Sequence, residues 1–226
     1  MILQFFSLAS FISSAKTPSS DEYENKKETR IGVTIEKQIT DALEISLTPS
    51  FRLGDDFGFK KNLIDLDFGY DVNGWFKLGL GNRFVFEKSK LGGTEITYRL
   101  DADISKGFKF NKFTLKPRVR YSHYLNISDG NSETGAGRSA APSENRFRYK
   151  LSLNYKHSSN AIFTPEIGAE LYHILASNSF QAMRYNIGGS FKLSKNQEID
   201  IDYLLDNGFA DKVNKHIIEL NYTIKF

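Results

Sequence analysis

His157 and Ser159, two positions apart in Tyr155-Lys156-His157-Ser158-Ser159-Asn160-Ala161, are the residues of this chain best suited to covalent chemistry. A serine hydroxyl is a weak nucleophile until a neighbouring imidazole takes its proton, so a His–Ser pair points to acyl transfer. The same stretch is also ordinary turn chemistry, because Ser and Asn close hairpins through their own side chains. That is the plainer reading, and it predicts no enzyme. His123, His173 and His216 fall on separate segments without metal-ligand spacing. The chain has no cysteine, and no phosphate loop, nucleotide fingerprint or zinc motif occurs. Neither a metal nor a cofactor is expected.

Charge is the second chemical feature, and its signs are grouped. Lys112, Lys116, Arg118 and Arg120 occupy alternate positions of one segment, and Arg146, Arg148, Lys150 and Lys156 those of the next. Glu95, Asp101 and Asp103 precede them; Glu166 and Glu170 follow. A basic wall would draw anionic solutes. Basic strands set between acidic ones would equally form a cross-strand ladder, each pair contributing a few tenths to about 1 kcal/mol. The two readings are compatible. Asp65 and Asp67, and Glu198, Asp200, Asp202 and Asp206, form acidic stripes. Alternate carboxylates on a strand stand roughly 7 Å apart, too far to share one ion unaided. A solvated wall is the expected role.

The elements that must position these groups follow from a period of two. Phe147, Tyr149, Leu151, Leu153 and Tyr155 alternate with Arg146, Arg148, Lys150, Ser152 and Asn154; a helix would scatter both sets around its circumference. Eleven such segments are predicted: 31–39, 42–53, 62–70, 75–87, 94–105, 112–125, 146–156, 161–175, 181–193, 198–206 and 214–226. Several reach ten residues or more. Globular strands average about five or six, whereas a tilted strand crossing hydrocarbon needs roughly nine to eleven.

Composition agrees. Of 226 residues, 40% are hydrophobic, and 19 Phe and 11 Tyr stand against one Trp. No apolar run approaches the roughly 18 to 20 residues of a membrane helix. The mean hydropathy of −0.40 suits a barrel whose strands put half their residues in water. A net charge of +3 without a basic run gives no case for nucleic acid. Residues 1–15 resemble the apolar core and small-residue end of a secretory signal, without its basic leader, or else form a first strand. Residues 16–29 are predicted to be a polar spacer, and 30–226 the barrel.

Short connections, at 38–41, 71–74, 157–160 and 194–197, all fall on the same side as the C-terminus; longer ones, including 126–145, fall opposite. That is the habit of outer-membrane barrels, with short turns periplasmic. The last strand alternates Ile218, Leu220, Tyr222, Ile224 and Phe226 with polar residues. Tyr222, Ile224 and Phe226 resemble the terminal signature read by the barrel-assembly machinery, to which an unpaired edge strand offers a β-augmentation template. Aromatic residues gather towards both strand ends, as interfacial belts would. A soluble sandwich or lipocalin-like barrel would instead bury the apolar faces. The expected fold is all-β: a transmembrane antiparallel up-and-down barrel of about 12 strands, with 10 as the alternative. An even count brings both termini to one side, and residues 3–12 are the candidate twelfth strand.

From Arg30 to Phe226 the chain resembles small, uncharacterised outer-membrane barrels common in the Bacteroidetes. The passages concerned are Arg146–Tyr149, Pro165–Tyr172, Arg184–Gly188 and His216–Phe226. A looser likeness is to oligogalacturonate-type monomeric porins. The His157 stretch resembles the His-x-Ser-Asn motif of outer-membrane phospholipases and lipid A deacylases, which makes a lipid hydrolase the competing function. These resemblances bring no known activity. Barrel size and the charged inward face lead to the expectation of a monomer in bacterial outer-membrane lipid, acting as a narrow passive channel for small or anionic solutes or as a structural barrel.

Overall fold

In the computed structural model, residues 23–88, 93–128, 144–158, 160–209 and 212–226 are described, and they form strands and turns. Twelve strands are present: β1 Glu24–Gln38, β2 Leu43–Leu53, β3 Phe59–Val72, β4 Phe76–Lys88, β5 Thr94–Ser105, β6 Phe108–Phe110, β7 Phe113–Ser128, β8 Glu144–Tyr155, β9 Phe163–Ile174, β10 Ser179–Lys192, β11 Gln197–Gly208 and β12 Val213–Lys225. Eleven of them close into a barrel, each hydrogen-bonded to its sequence neighbour; β6 is a short flap on β7, and β5 pairs with β7 past it. Residues 3–12, the candidate for a further strand, lie outside the described residues. β1 begins inside the segment predicted to be a spacer. Residues 24–29 are polar throughout, so hydrophobic alternation could not mark them, yet they pair with 213–218.

An odd count has a geometric consequence. With every sequential pairing antiparallel, the first and last strands of eleven must run the same way, so the ring can close only through a parallel pair. β1 and β12 are that pair, from Glu24↔Val213 to Glu36↔Lys225. The even, wholly antiparallel closure expected from the sequence is thereby replaced. Side chains cross the seam as well: Arg30 Nη1 donates to Glu219 Oε2 at 3.2 Å, and Asn221 Nδ2 donates to Thr34 Oγ1 at 3.1 Å.

The turns at the Phe226 end are built from local chemistry. Asn73 and Gly74 both have positive φ, 52° and 69°, as the central residues of a tight turn that matches the strand twist require. Trp75 N donates to the Val72 carbonyl at 2.9 Å, and Asp71 Oδ1 accepts from Gly74 N. Connections 39–42, 73–75, 156–162 and 193–196 share this end with β6. At the other end the long connection is 129–143; 54–58 and 175–178 are as short as turns.

Polarity separates a membrane barrel from a soluble one. Among the described residues the buried apolar side chains are Leu63, Leu204 and Ile217 alone, whereas Glu28, Asp65, Arg99, Asp101, Arg148 and Glu170 are among the buried polar ones. Large apolar groups instead cover the outside, Leu80, Leu151, Ile167, Ile187 and Ile201 along the middle of the wall. A soluble fold normally buries such residues. Aromatic pairs sit at both ends of this band. Phe113–Tyr155 and Phe163–Phe191 lie near the Phe226 end, with centroids 5.1 and 4.4 Å apart. Phe84–Tyr98 and Tyr121–Phe147 lie farther towards the opposite end, at 5.1 and 5.7 Å.

Candidate functional site in the barrel lumen

Strand alternation turns Lys116, Arg118 and Arg120 of β7 and Arg146, Arg148 and Lys150 of β8 into the lumen. The register sets Arg120 opposite Arg148 and Arg118 opposite Lys150. Like charges so placed repel, and the geometry shows the relief: each cation turns to a carboxylate elsewhere. Arg120 reaches back to β5, donating to Asp103 Oδ2 at 2.8 and 3.1 Å and to Asp101 Oδ2 at 3.2 Å. Lys150 pairs with Glu166 of β9 at 3.0 Å. Arg148 donates to Glu170 Oε2 at 2.7 Å, and Arg118 reaches past β8 to Glu170 Oε1 at 2.9 Å.

Glu170 is the hub of this ladder. It is 3% exposed and accepts from two guanidinium groups and from the Tyr172 hydroxyl at 2.9 Å. Behind it, Asp101 serves Arg99 at 2.7 Å as well as Arg120, and it accepts from the buried Ser122 hydroxyl at 2.6 Å. Among the described residues Lys116 has no ion-pair partner within 4 Å, and it stays exposed to the lumen. On β2–β4, Lys77 crosses above Gly69 to Glu44 at 3.0 Å; a Cβ at Gly69 would meet the Lys77 side chain. Absence of a side chain there lets the pair span a whole strand.

Two of the sequence candidates lie elsewhere. Lys112 is in the turn before β7, not on the wall, with Nζ 3.3 Å from His157 Nδ1. His157 is exposed at the rim near the Tyr155 hydroxyl, also at 3.3 Å, and Ser159 lies outside the described residues. The described part of this turn brings no carboxylate to the imidazole, and Glu170 is committed inside the lumen. Tyr222 and Ile224 face outward on β12. Phe226 is 66% exposed, while its backbone N donates to the Glu36 carbonyl of β1 at 2.9 Å. No group of three or more His, Cys, Asp or Glu able to hold a metal is found among the described residues.

The acidic stripes divide. Asp65 binds Arg83 through two hydrogen bonds, one of 2.9 Å, Asp206 binds Arg184 likewise, one of 2.7 Å, and Glu198 pairs with Lys225 at 3.3 Å. Among the described residues Asp67 and Asp202 have no ion-pair partner within 4 Å.

Sequence reasoning missed a second basic group near the end opposite Phe226. Arg30, Arg52, Arg83, Arg99, Arg184 and Lys215 come from six strands and join Arg146 and Arg148 around one cavity of about 360 Å³. Each strand contributes one or two, so no single segment looks basic. Ranking inward residues by distance from their strand ends would have found them. Arg83 and Arg99 also line the next cavity, about 320 Å³, together with Lys116, Arg118 and Arg120, so the two spaces adjoin.

A closed β-barrel, apolar outside and charged within, is thus the class that fold and lumen define. The chain belongs to the family described as a protein of unknown function (DUF2490), whose model matches residues 31–216. No curated protein matches it. Among solved structures it is similar to an anion-selective porin from Comamonas acidovorans, at 13% identity and a TM-score of 0.37 over 76% of this chain. It spans 47% of that porin's length. It is also similar to the β-domain of the Bordetella autotransporter BrkA, at 11% identity and a TM-score of 0.44 over 82% of each chain.

Proposed function

We propose that the protein is an outer-membrane barrel of a diderm bacterium, with the Phe226 end in the periplasm, acting as a narrow passive channel for small anionic solutes. The observation that carries this reading is the layout of charge. Among the described residues, ion pairs join groups on one strand, on neighbouring strands or one strand beyond, so the ladder follows the wall and does not bridge the lumen. Cations outnumber carboxylates around the cavity near the end opposite Phe226, and in the adjoining cavity the unpaired Lys116 faces the same space as Asp67. Eleven strands lie between the roughly eight that side chains fill and the 16 to 18 of open porins, which favours a constricted passage.

The test is current through planar bilayers under a salt gradient. The reversal potential should favour anions, and Lys116→Glu should reduce that preference severalfold without loss of the folded barrel, since no ion pair is broken. Absence of any current above the bare bilayer would overturn the channel in favour of a structural barrel. A reversal potential indifferent to Lys116→Glu would remove the lumen wall from the selectivity.

Assembly belongs to the same proposal. An exposed Phe226 side chain at the end of an amphipathic strand is suited to recognition by the assembly machinery before β1 closes on it. Phe226→Asp should therefore lower the amount of heat-modifiable barrel in outer membranes while synthesis and export stay normal. Wild-type levels in immunoblots of isolated membranes would count against it.

A further inference from the structure

The cavity near the end opposite Phe226 differs from the rest of the lumen. Its lining holds seven arginines and two lysines against one carboxylate, Asp206. Three of the other partner carboxylates are buried and shared: Glu28 serves Arg30 at 2.7 Å and Arg52 at 3.7 Å, Asp101 serves Arg99 and Arg120, and Glu170 serves Arg118 and Arg148. Asp65 pairs with Arg83, Glu144 with Arg146, Glu219 with Arg30 and Glu24 with Lys26. Among the described residues Lys215 has no ion-pair partner within 4 Å. Among the described residues the buried Nε atoms of Arg99 and Arg148 have no hydrogen-bond acceptor. Sharing of Glu28, Asp101 and Glu170 and the unpaired Lys215 thus leave a positive excess at the cavity.

Four of the guanidinium groups are also held in place from behind. Arg146 and Arg99 lie over the Tyr124 ring, 4.9 and 5.7 Å from its centroid, and Arg148 and Arg184 lie over Tyr172 at 5.0 and 5.4 Å. Ring faces fix the planes, and a carboxylate on one edge fixes the rotation. Each guanidinium carries five N–H groups, so donors remain after the wall contacts are made. Fixed forks of this kind match paired oxygens of phosphate or carboxylate groups, and little side-chain freedom is left to lose on binding.

We infer that this cage is a binding site for a compact soluble polyanion, a small phosphorylated or polycarboxylate solute with at least two negative charges. Singly charged anions lack the reach to engage several forks, and a neutral sugar has no charge to offer. The volume suits a small metabolite, at the lower end of the roughly 300–1,000 Å³ of ligand pockets. The inference deepens the proposed function by giving the anion path a saturable step.

The experiment is calorimetric titration of the detergent-folded full chain with pyrophosphate, citrate and chloride at low ionic strength. Saturable one-site binding is expected for pyrophosphate or citrate, and none for chloride. The double variant Arg52→Gln/Lys215→Gln should weaken it about tenfold or more, the scale of a charge-assisted hydrogen bond. It leaves Glu28 its bond to Arg30, so the fold is spared, and Arg52→Lys/Lys215→Arg should restore most of the affinity. Lys192→Gln/Lys195→Gln, at the opposite rim, should change it little. No saturable binding of either polyanion overturns the site, as does equal weakening by both Gln pairs, which would mean a diffuse field. Saturable binding without channel current would sustain the site and overturn the channel; anion-selective current without saturable binding would do the reverse.

Discussion

Glu170→Gln should destabilise the barrel by about 3–5 kcal/mol, the cost of removing one partner from a buried ion pair. The side chain keeps its shape, so the loss is electrostatic. Arg118 and Arg148 would remain packed at its two oxygens with no counter-charge, and β7 and β8 already set Arg120 against Arg148. Urea titration of the detergent-folded protein, read by the unheated gel shift, gives the midpoint. Adding Arg118→Gln should recover part of the loss, because one orphaned cation is then removed. A midpoint within about 0.5 kcal/mol of wild type, the range of ordinary surface changes, would mean that water in the lumen screens the ladder.

Depth dependence on the outer face is the second large effect. Ile187 is 60% exposed and stands between Ile167 and Tyr203 in the middle of the apolar wall. Ile187→Arg should cost about 2–4 kcal/mol in a bilayer, against roughly 0–1 kcal/mol for Leu193→Arg at the rim, 56% exposed, where the side chain reaches the headgroups. Refolding into lipid vesicles at graded urea measures both. Equal costs at the two positions would argue that no hydrocarbon layer surrounds the wall.

The strands were legible because a wall between lipid and water writes its two faces into alternate residues. β5 runs over 94–105, as its alternation predicts, and the other long strands agree to within a few residues at most ends. Legibility failed where one of those contrasts was missing. At 24–29 neither face is apolar, and at Phe108-Lys109-Phe110 three residues cannot establish a period. The count of strands in the ring could not come from any one segment, since it depends on which strands close the seam. The interior followed the same rule. Arg118, Arg120, Arg146 and Arg148 were visible because they are adjacent along two strands, whereas Arg30, Arg52, Arg99, Arg184 and Lys215 meet only when the sheet curls. How Arg118 passes β8 to reach Glu170 was likewise a matter of three dimensions.

The parallel seam also decides how this chain can be rewired. In a barrel with an even number of strands the first and last strands end side by side, and a short loop can join them to make a circular permutant. Here Glu24 and Phe226 lie at opposite ends of the wall. A linker between them must travel the length of β1, 15 residues at roughly 3.3 Å each or about 50 Å along the strand. Such a linker can descend through the lumen, where it would obstruct the cavities. Alternatively it can enter the seam between β1 and β12 as an added strand, antiparallel to both, and turn the odd ring into an even one.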